Sequence, residues 1–392
     1  MTASTTSGRA PAGLRRHNLR TILEQLHLHG PTSRADLCEV TGLTRSAVAD
    51  LVADLANRGL AAEGEAAGSQ SGRGRPPRIV SPSTDRAQVL AVAIEVDTIR
   101  ISRVGFGGTL LDEEHVPHES EPGAPGRSLA QITELIVDRA RRGDGEPLAL
   151  GIAVAGLVRG ADGQVTHAPN LAWRDLDLSA ELRRSTELRL PIVVGNEARL
   201  AALAEQRRGA GRYCGELVYV SAEVGVGGGI ITSDRVLTGH TGYAGEIGHM
   251  ITDPGGRRCR CGGRGCWETE IGADALLRHA GVHAPANRHA ALNDLLARSA
   301  TDTDASEALR ALCTPVAKGL ASLANIFNPE RIILGGLLSP LLQHARADLD
   351  TALAEFRGPG VPLQLCPAEL GERGGLLGAA EAAVDQYLTR FD

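Results

Sequence analysis

Apolar positions change their rhythm along this chain. Over residues 14–29 they fall at Leu19, Ile22, Leu23 and Leu26, the repeat of one helical face, and Gly30-Pro31 ends the run. "SRADLCEV" (33–40) reads as a second, short helix, capped by Thr32 or Ser33 and turning Ala35, Leu37 and Val40 inward. "TGL" (41–43) is a tight turn with Gly42 where positive φ is needed. Thr44 then caps a third helix, whose Val48, Leu51, Val52 and Leu55 make one stripe at i, i+3, i+4, i+7. This order predicts a winged helix-turn-helix over 14–82, behind a disordered tail at 1–13. The wing is expected from "RGLAAEGEAAGSQSGRGRPPRIVSP", with its tip at 68–74.

From residue 88 the pattern is that of strands. "VLAVAIEV", "IRISRVG" and "TLLDEEH" are three strand-like runs ahead of a helix at 128–141, and "LALGIAVAG" and "IVVGN" are two more buried strands. A second set follows in "ELVYVSAE", "GGGIITSD" and "ERIILGG". Strands alternating with helices predict an α/β body. Two sets dividing near Gly195 predict two lobes with a ligand cleft between them. The expected bounds are 86–195, joined by a C-terminal helix at 375–392, and 196–374.

Charge sharpens the division. The net charge of -6 conceals a head (1–80) with ten arginines against seven acids, and a remainder with 31 basic and 40 acidic residues. A basic head on an acidic body suits contact with nucleic acid. Thr44, Arg45 and Ser46, in the exposed first turn of the third helix, are the candidates for base edges. Arg73 and Arg75, among small residues at the wing tip, suit the minor groove. No window approaches the roughly 18 apolar residues of a membrane span. The opening residues lack the apolar core of a secretion signal, so no membrane association and a cytoplasmic location are expected. Thiols stay reduced there, so the seven cysteines are no disulfide framework. Cys38, Cys214, Cys313 and Cys366 read as small core residues.

The other three cysteines cluster in "EIGHMITDPGGRRCRCGGRGCWE" (246–268), as Cys259-x-Cys261-x4-Cys266 with His249 ten positions earlier. Three thiolates and one imidazole complete a tetrahedral zinc site with no open position, hence a structural metal in the loop 249–268. "GNEARLAALAE" (195–205) follows the apolar run "LPIVV", which puts Asn196 and Glu197 at a strand end with a helix behind them.

With "GIAVAG", "APNLAW", "VSAEVGVGGGII", "YAGEIGHM", "CRCGGRGCWE" and "IILGG", the sequence resembles the ROK family of repressors, open reading frames and sugar kinases, and within it the transcriptional regulators. The resemblance implies a two-lobed actin/hexokinase-like (ribonuclease H-like) body. It implies that Glu246 and His249 bind a sugar, His249 also ligating zinc, and that Glu268 contacts the same sugar. Asn196 and Glu197 match the Asn-Asp pair of the kinases, and Asn170 in "APNLAW" is a candidate for the pocket rim.

The kinases use that Asp as base and admit phosphates at a D-x-G-G-T turn through bare backbone N–H groups. Here "AIEVDTIRIS" (93–102) places Glu95, Asp97 and Thr98 in that turn, and Glu223 precedes "GVGGG" where a small polar residue is usual. Glu197 is one methylene longer than the Asp, and a base misplaced by about 1 Å can cost ~100-fold in rate. The expectation is therefore no enzymatic activity. The chain reads as a sugar-responsive repressor of carbohydrate uptake or catabolism genes, meeting a double-stranded operator as a homodimer or homotetramer. The alternatives are an ATP-dependent hexose kinase with an added DNA-binding head, and a regulator governed by a protein partner through the zinc lobe.

Overall fold

The computed structural model describes residues 11–391, except 66–77, 119–124, 143–144, 161, 284, 286–287, 357 and 359–362. In the head, helices Pro11–His29, Arg34–Thr41 and Arg45–Asn57 pack with a three-stranded antiparallel sheet. Its central strand, Arg78–Pro82, lies between Thr32–Ser33 and Ala61–Glu65. Ser33 caps the second helix by accepting from the Asp36 N–H at 3.2 Å, and Thr44 caps the third by accepting from Ala47 at 3.4 Å. Gly42 stands at φ +67 between them. The stripe Val48, Leu51, Val52 and Leu55 is buried against Leu19, Ile22, Leu23, Leu26 and Leu37. Each such side chain contributes roughly 1.5–3 kcal/mol.

Two expectations for the head fail. The first helix begins at Pro11, so residues 11–13 are not a disordered tail; proline's fixed φ suits a first turn, where its missing N–H costs nothing. Of Ala35, Leu37 and Val40 only Leu37 is buried, Ala35 being exposed and Val40 46% exposed. Positions i and i+2 point to different faces of a helix, so one short helix cannot bury all three. The wing tip with Arg73 and Arg75 lies outside the described residues.

The body contains two larger sheets. In the first, strands run in the order Ile192–Asn196, Leu150–Val154, Gln88–Ile94, Thr98–Gly105, Thr109–Leu110, with Glu114–Pro117 also paired to Thr98–Gly105. The first three are parallel. The run expected as one strand at 109–115 is thus two. The Asp112 carboxylate accepts from the Arg103 N–H at 2.8 Å, so a side chain takes a ladder bond and breaks the pairing.

Gln88–Ile94 is buried on both faces. Leu90, Val92 and Ile94 meet Ile132 and Ile136 of the helix Gly126–Arg141, with Leu178 and Leu182 of the helix Leu178–Thr186. Val89, Ala91 and Ala93 meet the C-terminal helix Gly374–Thr389. Small residues on that face permit a close approach: a Cβ on Gly151 would lie 1.8 Å from the Ala379 carbonyl oxygen.

The second sheet runs Arg235–Val236, Val226–Thr232, Leu217–Ala222, Arg331–Gly336, Gln364–Pro367. A small sheet of Leu157–Val158, Val165–Ala168 and Trp173–Leu176 stands beside the first. Between the two larger sheets lies the helix Glu197–Arg208, against the C-terminal helix on one side and Val226–Thr232 on the other. The head core continues into the body core through Phe106, Ala87 and the C-terminal helix. No helix among the described residues is long and apolar enough to cross a membrane.

Candidate functional site

Glu95, Asn196 and Glu223 stand at or just beyond the carboxyl ends of Gln88–Ile94, Ile192–Asn196 and Leu217–Ala222. That edge of an open α/β sheet is where ligands bind. The Asn196 side chain accepts from the Arg199 N–H at 3.0 Å and donates to the Gly156 carbonyl at 3.0 Å, so it both caps the helix and pins the neighbouring strand end. Glu197 opens the helix, and the C-terminal helix crosses so close that a Cβ on Gly375 would lie 2.9 Å from its Cγ. Burial pushes the Glu197 carboxyl well above the usual range; Glu223 and Glu95 act the same way and Arg100 opposes them.

In the turn after the first strand, the Glu95 N–H donates to the Thr98 carbonyl at 3.0 Å. Burial raises the Glu95 carboxyl to about 7, against the pull of Arg100. Arg100 Nε lies 3.0 Å from Glu95, and its Nη2 lies 2.6 Å from Glu372. The turn after the first strand therefore sets Glu95 against a guanidinium at ion-pair distance. Sequence reasoning missed Arg100. Its signal was a charged residue between Ile99 and Ile101, both facing the core of a strand.

The four candidate metal ligands come together. His249, Cys259, Cys261 and Cys266 hold their ligand atoms within 4.8 Å of one another. Cys261 and Cys266 sulfurs are 3.6 Å apart, and the Cys259 sulfur is 3.8 Å from His249 Nδ1. Tetrahedral Zn–S bonds of about 2.3 Å separate ligand atoms by about 3.8 Å, so the donor set fits zinc. N–H groups of Cys261 and Gly263 point at the Cys259 and Cys261 sulfurs from 3.5 and 3.4 Å. Gly265, at φ +74, comes so close to Asp253 that a Cβ would sit 1.7 Å from its carbonyl oxygen. Behind the loop, fully buried Trp267 donates to the Pro315 carbonyl at 2.8 Å and anchors it to the helix Cys313–Phe327.

Three of the sugar candidates, Glu246, His249 and Glu268, stand at this cluster. His249 turns Nδ1 to the cysteines and Nε2 toward Glu246, 4.0 Å away. Glu268 lies 2.9 Å from the Cys259 sulfur and accepts from the Val226 N–H at 3.4 Å. Burial raises the Glu246 carboxyl, while His249 and Arg199 pull it down. Arg199, buried, donates its N–H to Asn196 and its guanidinium to the Gly242 carbonyl, four residues ahead of Glu246. It was missed from sequence, although it sits three residues after the Asn196 cap. Asn170 accepts from Arg260 at 2.9 Å, which ties the rim candidate to the metal loop. The loop ahead of Glu246 also reaches the small sheet: Gly160 N–H donates to Thr241 at 3.1 Å, and Tyr243 and Thr166 hydroxyls are 2.7 Å apart. In the head, Thr44, Arg45 and Ser46 are exposed.

The family model described as "ROK family" matches residues 89–386. The xylose repressor of Bacillus spizizenii is 28% identical over 379 residues, 95% of this chain and 96% of its own. A ROK family transcriptional regulator, a homologue of the Escherichia coli MLC protein, superposes with a TM-score of 0.78 at 26% identity, over 96% of this chain and 98% of that one. A ROK family glucokinase from Streptomyces griseus, solved with glucose and AMPPNP, gives 0.67 at 30% identity, over 76% of this chain and 100% of that one. Regulators thus match nearly the whole chain and the kinase only part of it, on one shared fold. The chain belongs to the ROK family.

Proposed function

We propose that this protein is a sugar-responsive, DNA-binding transcriptional regulator, a repressor of carbohydrate uptake or catabolism genes, whose cleft binds a sugar without phosphorylating it. The observation that carries this reading is the match to the xylose repressor over 95% of the chain, head included. The ion pair of Glu95 and Arg100 in the phosphate turn supports the loss of kinase chemistry. Residues 14–82 act as a winged helix-turn-helix, with Thr44, Arg45 and Ser46 at base edges and Arg73 and Arg75 on the wing. Residues 86–195 with 375–392, and residues 196–374, form the two lobes.

His249, Cys259, Cys261 and Cys266 hold a structural zinc, which when bound fixes the imidazole and the Gly-rich loop. Glu246, Glu268 and Glu197 accept from sugar hydroxyls, the free His249 N–H donates, and Asn196 and Asn170 line the pocket. The operator is read by a homodimer or homotetramer, since paired half-sites need paired heads. Such a protein works where the genome lies, in the cytoplasm. The sugar releases DNA by binding one arrangement of the lobes more tightly than the other.

The second reading, an ATP-dependent hexose kinase with a DNA-binding head, draws on the 30% identity to the glucokinase. Titration calorimetry against D-xylose, D-glucose and an amino-sugar panel, run beside an ADP-release assay, separates the two. The proposal expects saturable sugar binding with no sugar-dependent ADP release. Turnover that disappears in Glu197→Ala would establish the kinase instead.

A further inference from the structure

The helix Glu197–Arg208 begins at the candidate sugar cleft and ends at the DNA-binding head. Glu197 and Arg199 occupy its first turn. At the other end, Arg208 Nε donates to Glu381 Oε1 at 2.8 Å and Arg208 Nη2 donates to the His27 carbonyl at 2.8 Å. Arg207 donates to Glu381 at 3.0 Å and to both Asp385 oxygens at 3.0 and 2.8 Å. His27, in the last turn of the first head helix, accepts at Nδ1 from the Gly107 N–H at 3.1 Å. Its Nε2–H is left to donate to Glu381 Oε2 at 2.8 Å.

His27 and Glu381 are 2% and 1% exposed, so this joint is a buried, charge-balanced contact between head, connecting helix and C-terminal helix. The Arg208 cation also sits at the negative end of the head helix, a stabilising place for it.

The connecting helix is built to move as a unit. Twelve residues make a rod about 18 Å long. Toward the second sheet its contacts are alanine against glycine: a Cβ on Gly227 would lie 2.6 Å from the Ala198 Cβ, and one on Gly229 2.3 Å from the Ala202 Cβ. Small surfaces of this kind do not interlock and allow short shear displacements. Toward the first sheet the rod packs on the C-terminal helix, which is itself seated on Gln88–Ile94 and Leu150–Val154. A change in the angle between the sheets must therefore shift the rod against one of them.

We infer that the helix Glu197–Arg208 is the mechanical link between cleft and head, with the Arg208–Glu381–His27 contact as its output joint. The inference rests on the sugar-responsive reading above. Displacement at Glu197 moves Arg208 and with it the last turn of the first head helix. Leu19, Ile22, Leu23 and Leu26 of that helix share a core with Val48, Leu51 and Val52 behind Thr44–Arg45–Ser46, so the recognition surface moves too.

Hydrogen–deuterium exchange on the full chain reads both ends at once. With D-xylose or D-glucose, amides of 196–200 and 246–249 gain protection, and amides of 24–30 and 105–108 change their exchange several-fold. In Arg208→Ala the first response remains and the second is lost. Arg208→Lys keeps the charge but not the fork that reaches both Glu381 and the His27 carbonyl, and it loses the head response as well; it decides the matter should the alanine variant fail to fold. Glu197→Ala without sugar gives the same division: head amides respond where Arg208 is present and are silent in the double variant. Head amides that respond equally without Arg208, or that stay still in the natural protein while the cleft responds, overturn the link. Silence at the cleft with both sugars counts against the sugar-responsive reading alone, and the Glu197→Ala arm still decides the link.

Discussion

Stripping the metal, or replacing Cys266 by serine, is expected to weaken sugar binding by about 10–100-fold or more and to lower the melting temperature in the same samples. The loop from Met250 to Cys266 holds five glycines, at 255, 256, 262, 263 and 265, and little of it is buried beyond Cys259, Gly265 and Cys266. Its own packing cannot hold its shape; four ligands closing on one ion can. Structural zinc sites in small peptides are worth about 10–16 kcal/mol in apparent binding, nearly all of it expressed as folding. Here the neighbouring core around Trp267, Leu276 and Leu320 is apolar and holds none of the four ligands, so the loss is expected to fall on the loop and on the residues it places. Those residues are Glu246, His249 and Glu268, three of the sugar candidates. Metal analysis should return one zinc per chain, and calorimetry before and after chelation should show melting and sugar affinity falling together. Sugar affinity that survives complete removal of zinc would separate the metal from the pocket.

Glu381→Ala is expected to cost about 3–5 kcal/mol, the usual effect of stranding buried charges by deleting their partner. Among the described residues Arg208 would keep the His27 carbonyl and the His27 ring at 3.0 Å, and Arg207 would keep Asp385 and the residue-381 carbonyl. Burial alone would raise the Glu381 carboxyl. The His27 N–H and the Arg208 and Arg207 guanidiniums outweigh it and hold the carboxyl far below its ordinary range. A carboxyl depressed in the folded state stabilises fully above its unfolded pKa of about 4.3, and that stability is lost as pH falls below this value. Urea unfolding at pH 7 should therefore show the full loss in Glu381→Ala. At pH 4 and below, the gap between the variant and the natural protein should narrow. Because this carboxylate joins head and body, far-UV and DNA-binding signals should unfold together in the natural protein and separate in the variant.

Local pattern made much of this legible. The stripe Val48, Leu51, Val52, Leu55 and its Thr44 cap form as the spacing requires, and the cysteine motif marks side chains that do come together in space with His249. Strand ends at Asn196 and near Glu95 and Glu223 also follow from apolar runs that stop at polar residues. What escaped the sequence depends on partners far along the chain. Arg100 meets Glu372 across 272 positions and His27 meets Glu381 across 354, and no periodicity encodes either pairing. Asp112 broke an expected strand by supplying its own side chain to the ladder, a competition with backbone bonding that propensity alone does not resolve. Asn196 was legible as a strand-end polar residue, but both ends of its amide bond backbone, which the sequence could not reveal.

The most direct measurement selects duplexes bound by the full-length protein from a randomised DNA pool. It then follows a labelled winner by fluorescence anisotropy while D-xylose, D-glucose and amino sugars are added without nucleotide. At least one sugar should weaken DNA binding within the roughly 5–150-fold span of allosteric couplings, and ATP should add nothing. Affinity that stays constant across the whole panel, beside sugar-dependent release of ADP from ATP, would contradict the assignment of this cleft to sensing.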